Sequence, residues 1–280
     1  MIHYAANDDL CYIIAMNTDE GIAAYIHDNL STEFMGRKLL YLEETTSTQD
    51  VARDLAASGA PEGTAVIARR QKAGKGRLSR AWLSPEGALA VSIVLRPSFE
   101  ELRLLPAITS VAVFRTLKGL GVKASIKWPN DVLIGDKKVC GILIENCLDG
   151  NRLKYSIPGI GINVNFDPSQ YPEIDATSAS LSVELGHAIP IGQVAIVLFS
   201  ELEMLYCKRS DPDYIIGEWV QNMETIGRRI KVRTGKEISE GTAHAINTAG
   251  NLVIRLDDGT FREIMAGDVT ILKNSERAGL

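Results

Sequence analysis

At 280 residues with 45% hydrophobic content, the chain can bury a full core and hold one large and one small domain. A formal net charge of −5 speaks against a general nucleic-acid binder. No apolar run approaches the roughly 20 residues of a membrane span, and no Lys or Arg precedes Arg37 to form a secretory leader. The four cysteines, Cys11, Cys140, Cys147 and Cys207, lack C-x-x-C or paired zinc spacing; they indicate neither a metal site nor a disulfide framework and fit a reducing cytoplasm.

Residues 1–17 hold one short apolar stretch, Leu10–Met16. Thr18 can cap a helix over Asp19–Leu30, whose first turn carries acids as the helix dipole prefers. Residues 1–35 contain six acids, Asp8, Asp9, Asp19, Glu20, Asp28 and Glu33, and no Lys or Arg. DNA affinity rests on neutralising phosphates with such cations, so this extension is expected not to bind DNA. Leu39–Leu42 reads as the first strand. Ser47-Thr48-Gln49-Asp50 reads as a capping box opening a helix over Gln49–Ser58, with Val51 and Leu55 facing the core and Gly59 ending it. A helix N-terminus with hydroxyls also suits the neutral polar edge of a ligand, which makes Ser47, Thr48 and Gln49 candidate binding residues.

Thr64–Ala68 and Ala88–Leu95 are continuous apolar runs that read as buried strands. Between them lies a loop with Gly74, Gly76 and six cations: Arg69, Arg70, Lys72, Lys75, Arg77 and Arg80. No acidic residue falls between Glu62 and Glu86. A one-signed loop costs ordering entropy and self-repulsion, so it is expected to be mobile when free and to close on a phosphate or carboxylate. A bare charge run is as readily a solvated surface or a nucleic-acid patch. The glycines, which allow close backbone approach, and Trp82, which offers a stacking face, favour a ligand. Gly74-Lys75 lacks the earlier glycine and the following Ser/Thr of a Walker A loop, and no G-x-G-x-x-G opens a helix.

Ser98-Phe-Glu-Glu101 starts a second helix, with Pro106 near its first turn and an apolar face of Leu104, Ile108, Val111 and Leu117. Ala124–Trp128 is a strand stopped by Pro129; the turn that follows would put Lys127, Asn130 and Asp131 on a cleft. Val132–Ile134 and Lys138–Glu145 form a hairpin. Lys138 opens a core strand, where a buried ammonium needs an anionic partner, and Lys137 is expected in solvent. Leu153–Pro158 and Ile160–Asn165 continue the sheet. Gly159 and Gly161 permit close backbone approach, and Asn163 offers an amide suited to adenine. Ile191–Lys208 is a long amphipathic helix, and Asp211 caps another over Asp213–Met223. After a boundary near Gly227, five short strands follow: Ile230–Arg233, Gly241–Ile246, Asn251–Leu256, Phe261–Met265 and Val269–Leu272.

Gln71-Lys-Ala-Gly-Lys-Gly-Arg-Leu-Ser-Arg-Ala-Trp82 resembles the Gly-Arg-Gly-Arg…Trp signature of biotin–protein ligases. Three further motifs match in order: Ser47-Thr48-Gln49, Lys127-Trp-Pro-Asn-Asp131 with Lys138…Gly141, and Gly159-Ile-Gly-Ile-Asn163. The resemblance covers about Gly36 to Leu272, and its force lies in four motifs in register. It implies an α+β fold: a mixed sheet flanked by helices over residues 36–226, of the class II synthetase-like biotin/lipoate ligase type. A small SH3-like barrel would follow at 227–273, with a one-helix extension at 1–35 and a tail at 274–280.

The resemblance also implies the chemistry: ATP, with Mg²⁺, activates biotin to an acyl-adenylate, and the acyl group passes to a lysine of a biotin carboxyl carrier domain. Lys138 would bridge biotin carboxylate and α-phosphate, with Arg77 and Lys75 adding charge. Ser47, Thr48, Gln49, Gln71, Gly76, Gly141, Gly159 and Gly161 would complete the biotin site. Gly74, Arg80, Trp82, Lys127, Asn130, Asp131 and Asn163 would receive ATP, and Asp131 would organise Mg²⁺ or the triphosphate. Lys75 departs from the family's arginine, which keeps the charge but loses the planar fork. A lipoate–protein ligase shares fold and adenylate chemistry, but the loop and the C-terminal barrel favour biotin. A biotin-sensing repressor is the alternative from another class, against which the missing N-terminal cations speak. The expected partner is a carrier domain, with neither DNA nor membrane, in the cytoplasm; homodimerisation is left open.

Overall fold

Apolar runs of strand length set the centre of the molecule. The computed structural model describes residues 13–14 and 20–272. Eight strands form one sheet: β1 (Ile13–Ile14), β2 (Leu39–Thr45), β3 (Ala65–Gln71), β4 (Ala88–Ile93), β5 (Ala124–Lys127), β6 (Asp131–Ile134), β7 (Lys137–Asp149) and β8 (Arg152–Asn163). Their order is β1-β2-β3-β4-β8-β7-β6-β5, parallel from β1 to β3 and antiparallel beyond, so the sheet is mixed. Parallel pairing of β2 with β3 requires a crossover, supplied by α2 (Thr48–Ala57). The two runs Leu153–Pro158 and Ile160–Asn165 are one strand, because Gly159 pairs in register with Ser92 on one side and Leu143 on the other.

Strand alternation gives the sheet two faces. Ile67, Leu89, Val91, Ile93, Ile142, Ile160 and Ile162 point into the main core beneath α3 (Leu105–Gly119) and α5 (Ile191–Cys207). Leu104, which caps α3, and Ile108, Val111 and Leu117 on it are buried as expected, but so are Ala107, Ala112, Val113 and Phe114. The sheet covers one side of this helix, and α5 with α6 (Pro212–Gln221) covers the other, so nearly its whole circumference is apolar. The opposite face of the sheet carries Val66, Val94 and Ile157 under Ala52 and Ala56 of α2.

Near the chain start, α1 (Glu20–Asn29) packs on α5. Thr18, Asp19, most of Leu10–Met16, Cys11 and the tail 274–280 lie outside the described residues. The short helix α4 (Leu181–Leu185) was not expected, whereas Asp211 caps α6 as expected, accepting from the Tyr214 N–H at 3.1 Å. The C-terminal segment forms a second, antiparallel sheet from β9 (Arg229–Thr234), β10 (Glu237–Ile246), β11 (Leu252–Arg255), β12 (Phe261–Ile264) and β13 (Asp268–Ile271), in the order β12-β11-β10-β9-β13. It is seated on the main sheet by Trp128, whose Nε1 donates to the Gly250 carbonyl at 3.2 Å, and by Arg103, which donates to the Thr248 carbonyl. Among the described residues no helix is long and apolar enough to cross a membrane.

Candidate active site

Pairing brings the smallest side chains of three neighbouring strands side by side. Ala90, Gly161 and Gly141 lie in one row across β4, β8 and β7, with Ser92, Gly159 and Leu143 in the next. The rows leave a trough in the sheet beside the N-terminus of α2. The trough is already partly occupied. A Cβ at Gly161 would fall 2.3 Å from Trp82 Nε1, one at Gly141 would fall 2.8 Å from the same indole, and one at Gly159 would fall 2.8 Å from the Gln49 carboxamide. These glycines therefore make room for Trp82 and Gln49, and they also line the first of two cavities that meet here.

The expected capping box does not form. Ser47 makes no side-chain cap, and its hydroxyl is buried without a hydrogen-bond partner. Gln71 at the end of β3 takes the role instead: its Oε1 accepts from the Thr48 main-chain N–H at 2.8 Å. Thr48 Oγ1 lies 2.8 Å from Ser92 Oγ. Gln49 Nε2 donates to the Leu143 and Ile157 carbonyls at 3.3 and 3.2 Å, and its Oε1 is buried without a partner. Two buried oxygens, Ser47 Oγ and Gln49 Oε1, are thus left for a neutral polar ligand.

Two cavities meet here. The first, of about 50 Å³, is lined by Ser47, Thr48, Gln49, Gln71, Lys75, Gly76, Arg77, Asn130 and the glycine trough. The second, of about 520 Å³, is lined by Lys127, Asp131, Asp136, Asn163, Thr177, Arg228 and Thr270. Lys138 and Trp82 line both. Lys138 Nζ lies 5.2 Å from the Trp82 ring centroid and 2.7 Å from Asp131 Oδ1, the anionic partner this lysine was expected to need.

The basic loop is not a self-repelling strand of charge. Trp82 N–H donates to the Gly74 carbonyl and Gly76 N–H to the Arg80 carbonyl, both at 2.8 Å, which folds the loop on itself. Acids from distant segments neutralise five of its six cations: Arg69 pairs with Glu43 and Glu86, Arg70 and Lys72 with Glu44, Lys75 with Asp50, and Arg80 with Asp268. Burial raises the Asp50 pKa, but bonds from Lys75 and Arg53 outweigh it and the net shift is downward. Arg77 is held differently. It donates to two neutral acceptors, Asn130 Oδ1 at 2.7 Å and the Gly267 carbonyl at 3.2 Å. Burial holds its guanidinium below the usual pKa, countered in part by Asp268 and Asp131.

The biotin/lipoate A/B protein ligase family model matches residues 41–163, and the biotin protein ligase C-terminal domain model matches 225–272. The bifunctional ligase/repressor BirA of Bacillus subtilis (strain 168) is 35% identical over 256 residues, which are 88% of this chain and 78% of that protein. The chain belongs to the biotin–protein ligase family. It is a ligase enzyme. The biotin–[acetyl-CoA-carboxylase] ligase of Paracoccus denitrificans is 31% identical over 76% of this chain and 92% of its own. Among solved structures, the biotin protein ligase from Aquifex aeolicus in complex with biotin and ATP superposes with a TM-score of 0.73. It is 30% identical, over 84% of this chain and 99% of that one.

Within this ligase fold, the residues expected around biotin gather on the first cavity. Those expected around ATP divide: Lys127, Asp131 and Asn163 line the second cavity, and Asn130 lines the first. Asn130 Nδ2 donates to the Ile142 carbonyl at 2.7 Å while Oδ1 holds Arg77, so both ends of its amide already have a protein partner. Asn163 Nδ2 donates to the Ala179 carbonyl at 2.9 Å, tying down segment 174–179, which walls the second cavity. Gly74 and Arg80 stand in neither lining; Gly74 lets the Trp82 carbonyl approach, and Arg80 faces Asp268.

Asp131 does not fit as a resident metal ligand, because Lys138 at 2.7 Å and Lys127 at 3.7 Å already surround its carboxylate. Among the described residues no group of three or more His, Cys, Asp or Glu side chains gathers to hold a metal ion. Sequence reasoning missed Ser92, Asp136, Thr177, Arg228 and Thr270 as lining residues. Ser92 alone carried a signal, as a hydroxyl inside an apolar run.

Proposed function

We propose that the protein activates biotin with ATP to biotinoyl-5′-AMP and transfers the acyl group to a lysine of a biotin carboxyl carrier domain. The observation that carries this reading is the position of Lys138, whose ammonium lines both cavities. A carboxylate in the first cavity and an α-phosphate in the second would meet at that charge. Carboxylate oxygen attacks the α-phosphorus, pyrophosphate leaves, and negative charge grows on phosphoryl oxygens that Lys138 and Arg77 stabilise from fixed positions. The acceptor amine then attacks the acyl carbon, and AMP leaves.

The unpartnered Ser47 Oγ and Gln49 Oε1 suit the N–H groups of the biotin ureido ring, a neutral edge that wants acceptors rather than charges. Trp82, on the wall of the nucleotide cavity, supplies a stacking face for adenine. Magnesium enters as part of the ATP substrate, with phosphate oxygens as its ligands. On this reading residues 36–226 are the catalytic domain and 227–273 the C-terminal domain. The protein works in the cytoplasm without binding DNA.

The test is incubation with labelled biotin or lipoate, ATP-Mg²⁺ and a carrier domain. Label from biotin on the acceptor lysine, dependent on ATP, is the expected result. Transfer of lipoate alone, or no transfer, overturns the reading.

A further inference from the structure

The loop between β3 and β4 is held from the far end of the chain. Arg80 pairs with Asp268, and Arg77 donates to the carbonyl of the preceding residue, Gly267. Asp268 opens β13 of the C-terminal sheet, pairing in register with Arg233 on β9, and Gly267 immediately precedes it; the turn around Gly250 is fixed to Trp128. Gly267 sits close against β9: a Cβ there would fall 2.9 Å from Val232 Cγ1 and 3.0 Å from the Arg233 carbonyl. Only a glycine lets this segment lie deep enough to present its carbonyl to Arg77.

The choice of acceptors matters. A carboxylate against Arg77 would orient the guanidinium and cancel its charge. Asn130 Oδ1 and the Gly267 carbonyl orient it while leaving the charge whole, and two of its five N–H donors suffice, so three remain for an anion. The carboxylate of the pair falls instead on Arg80, one turn away and exposed.

We propose that Gly267 and Asp268 are positioning residues: the C-terminal domain clasps the loop through them and aims Arg77 at the first cavity. The consequence for catalysis rests on the ligase reading above. A loosened clasp lets the loop open and the activated acyl-adenylate escape before transfer.

Two measurements on the full-length protein test this. The first is limited trypsinolysis without ligand, with cuts mapped by mass after Lys75 and Arg77. Asp268→Asn should speed cutting about two- to five-fold, the range open to an exposed ion pair, and Asp268→Glu should restore the wild-type rate. Gly267→Val should speed it at least as much. High salt should accelerate cutting more in the wild type than in Asp268→Asn, which keeps only the other loop ion pairs, a difference that loss of packing alone would not produce. The second measurement is single-turnover formation of labelled adenylate, in which the released share should rise in the same order. Cutting rates and salt responses equal to wild type in folded Asp268→Asn and Gly267→Val overturn the clasp. A wild type that forms no adenylate sinks the ligase reading, and the cutting comparison still decides the clasp.

Discussion

Lys138→Ala separates a catalytic charge from a structural one. The ammonium lies 2.7 Å from Asp131 Oδ1, with Lys127 at 3.7 Å from the same carboxylate. The Lys138 side chain is 32% exposed, so its ion pair is screened and contributes at most about 1 kcal/mol to stability. Lys127 stays beside Asp131 in the variant, and the fold should survive. The catalytic loss is larger. At an effective dielectric of about 20, a unit charge about 4 Å from a reacting oxygen is worth about 4 kcal/mol. Mutational losses of single preorganised donors run to about 10²–10³-fold. ATP–pyrophosphate exchange driven by biotin should therefore fall by that factor, while circular dichroism and Tm stay near wild type. Exchange within about two-fold of wild type in a folded Lys138→Ala protein would refute the bridging role, since a charge on both cavity walls would then do nothing for the reaction.

Three further outcomes are expected. Lys75→Arg should slow release of the adenylate modestly: a guanidinium can fork onto Asp50, which the lysine already meets at 2.5 Å, and hold the loop closer; equal leakage from both proteins would remove residue 75 from consideration. Gly161→Ala would place a methyl 2.3 Å from Trp82 Nε1 and must dislodge the indole; tryptophan emission should shift against the constant background of buried Trp128 and Trp219, and an unchanged spectrum with unchanged biotin affinity would contradict the trough geometry. With no Lys or Arg before Arg37, the protein should show no operator binding at physiological salt with or without biotin, and a gel shift that survives excess competitor DNA would reverse that expectation.

Local signals were legible wherever one segment determined its own structure. The strands around the basic loop, the helix over Leu105–Gly119 and the five C-terminal strands all follow from apolar runs and turn residues. Most of the motif residues, though not Gly74 or Arg80, also lie on the two adjoining cavities, because strand ends and a helix N-terminus meet there. What escaped was the pairing between distant segments. Ser47 has every local mark of a cap, yet Gln71, 24 positions on by the numbering, reaches the helix N-terminus first. The loop cations have no acid nearby in sequence, but Glu43 and Glu44 come from a neighbouring strand, Asp50 from α2 and Asp268 from the second sheet. Such contacts depend on register and topology, which no run of residues displays by itself.

The distribution of carboxylates is itself an argument about mechanism. A site that must attract an anion gains nothing from cations already neutralised, and five of the six loop charges are. Those pairs hold the loop in shape and reduce the repulsion that would otherwise open it. Of the three cations that line the first cavity, Lys75 is paired with Asp50, and the other two are kept in different ways. Lys138 is a compact, strongly hydrated ammonium, and Asp131 offsets its partial desolvation from the side of the second cavity. Arg77 keeps its charge when buried and needs no carboxylate, so neutral oxygens can aim it without weakening its field. An arginine at that position, bounded by an amide and a main-chain carbonyl, suits the proposed reaction, in which negative charge on the phosphoryl oxygens grows in the transition state. Exchange of Asn130 for aspartate would keep an acceptor for Arg77 and cancel the charge, but it would also remove the N–H that the Ile142 carbonyl accepts and set a carboxylate oxygen against that carbonyl, so it should cost stability as well as catalysis.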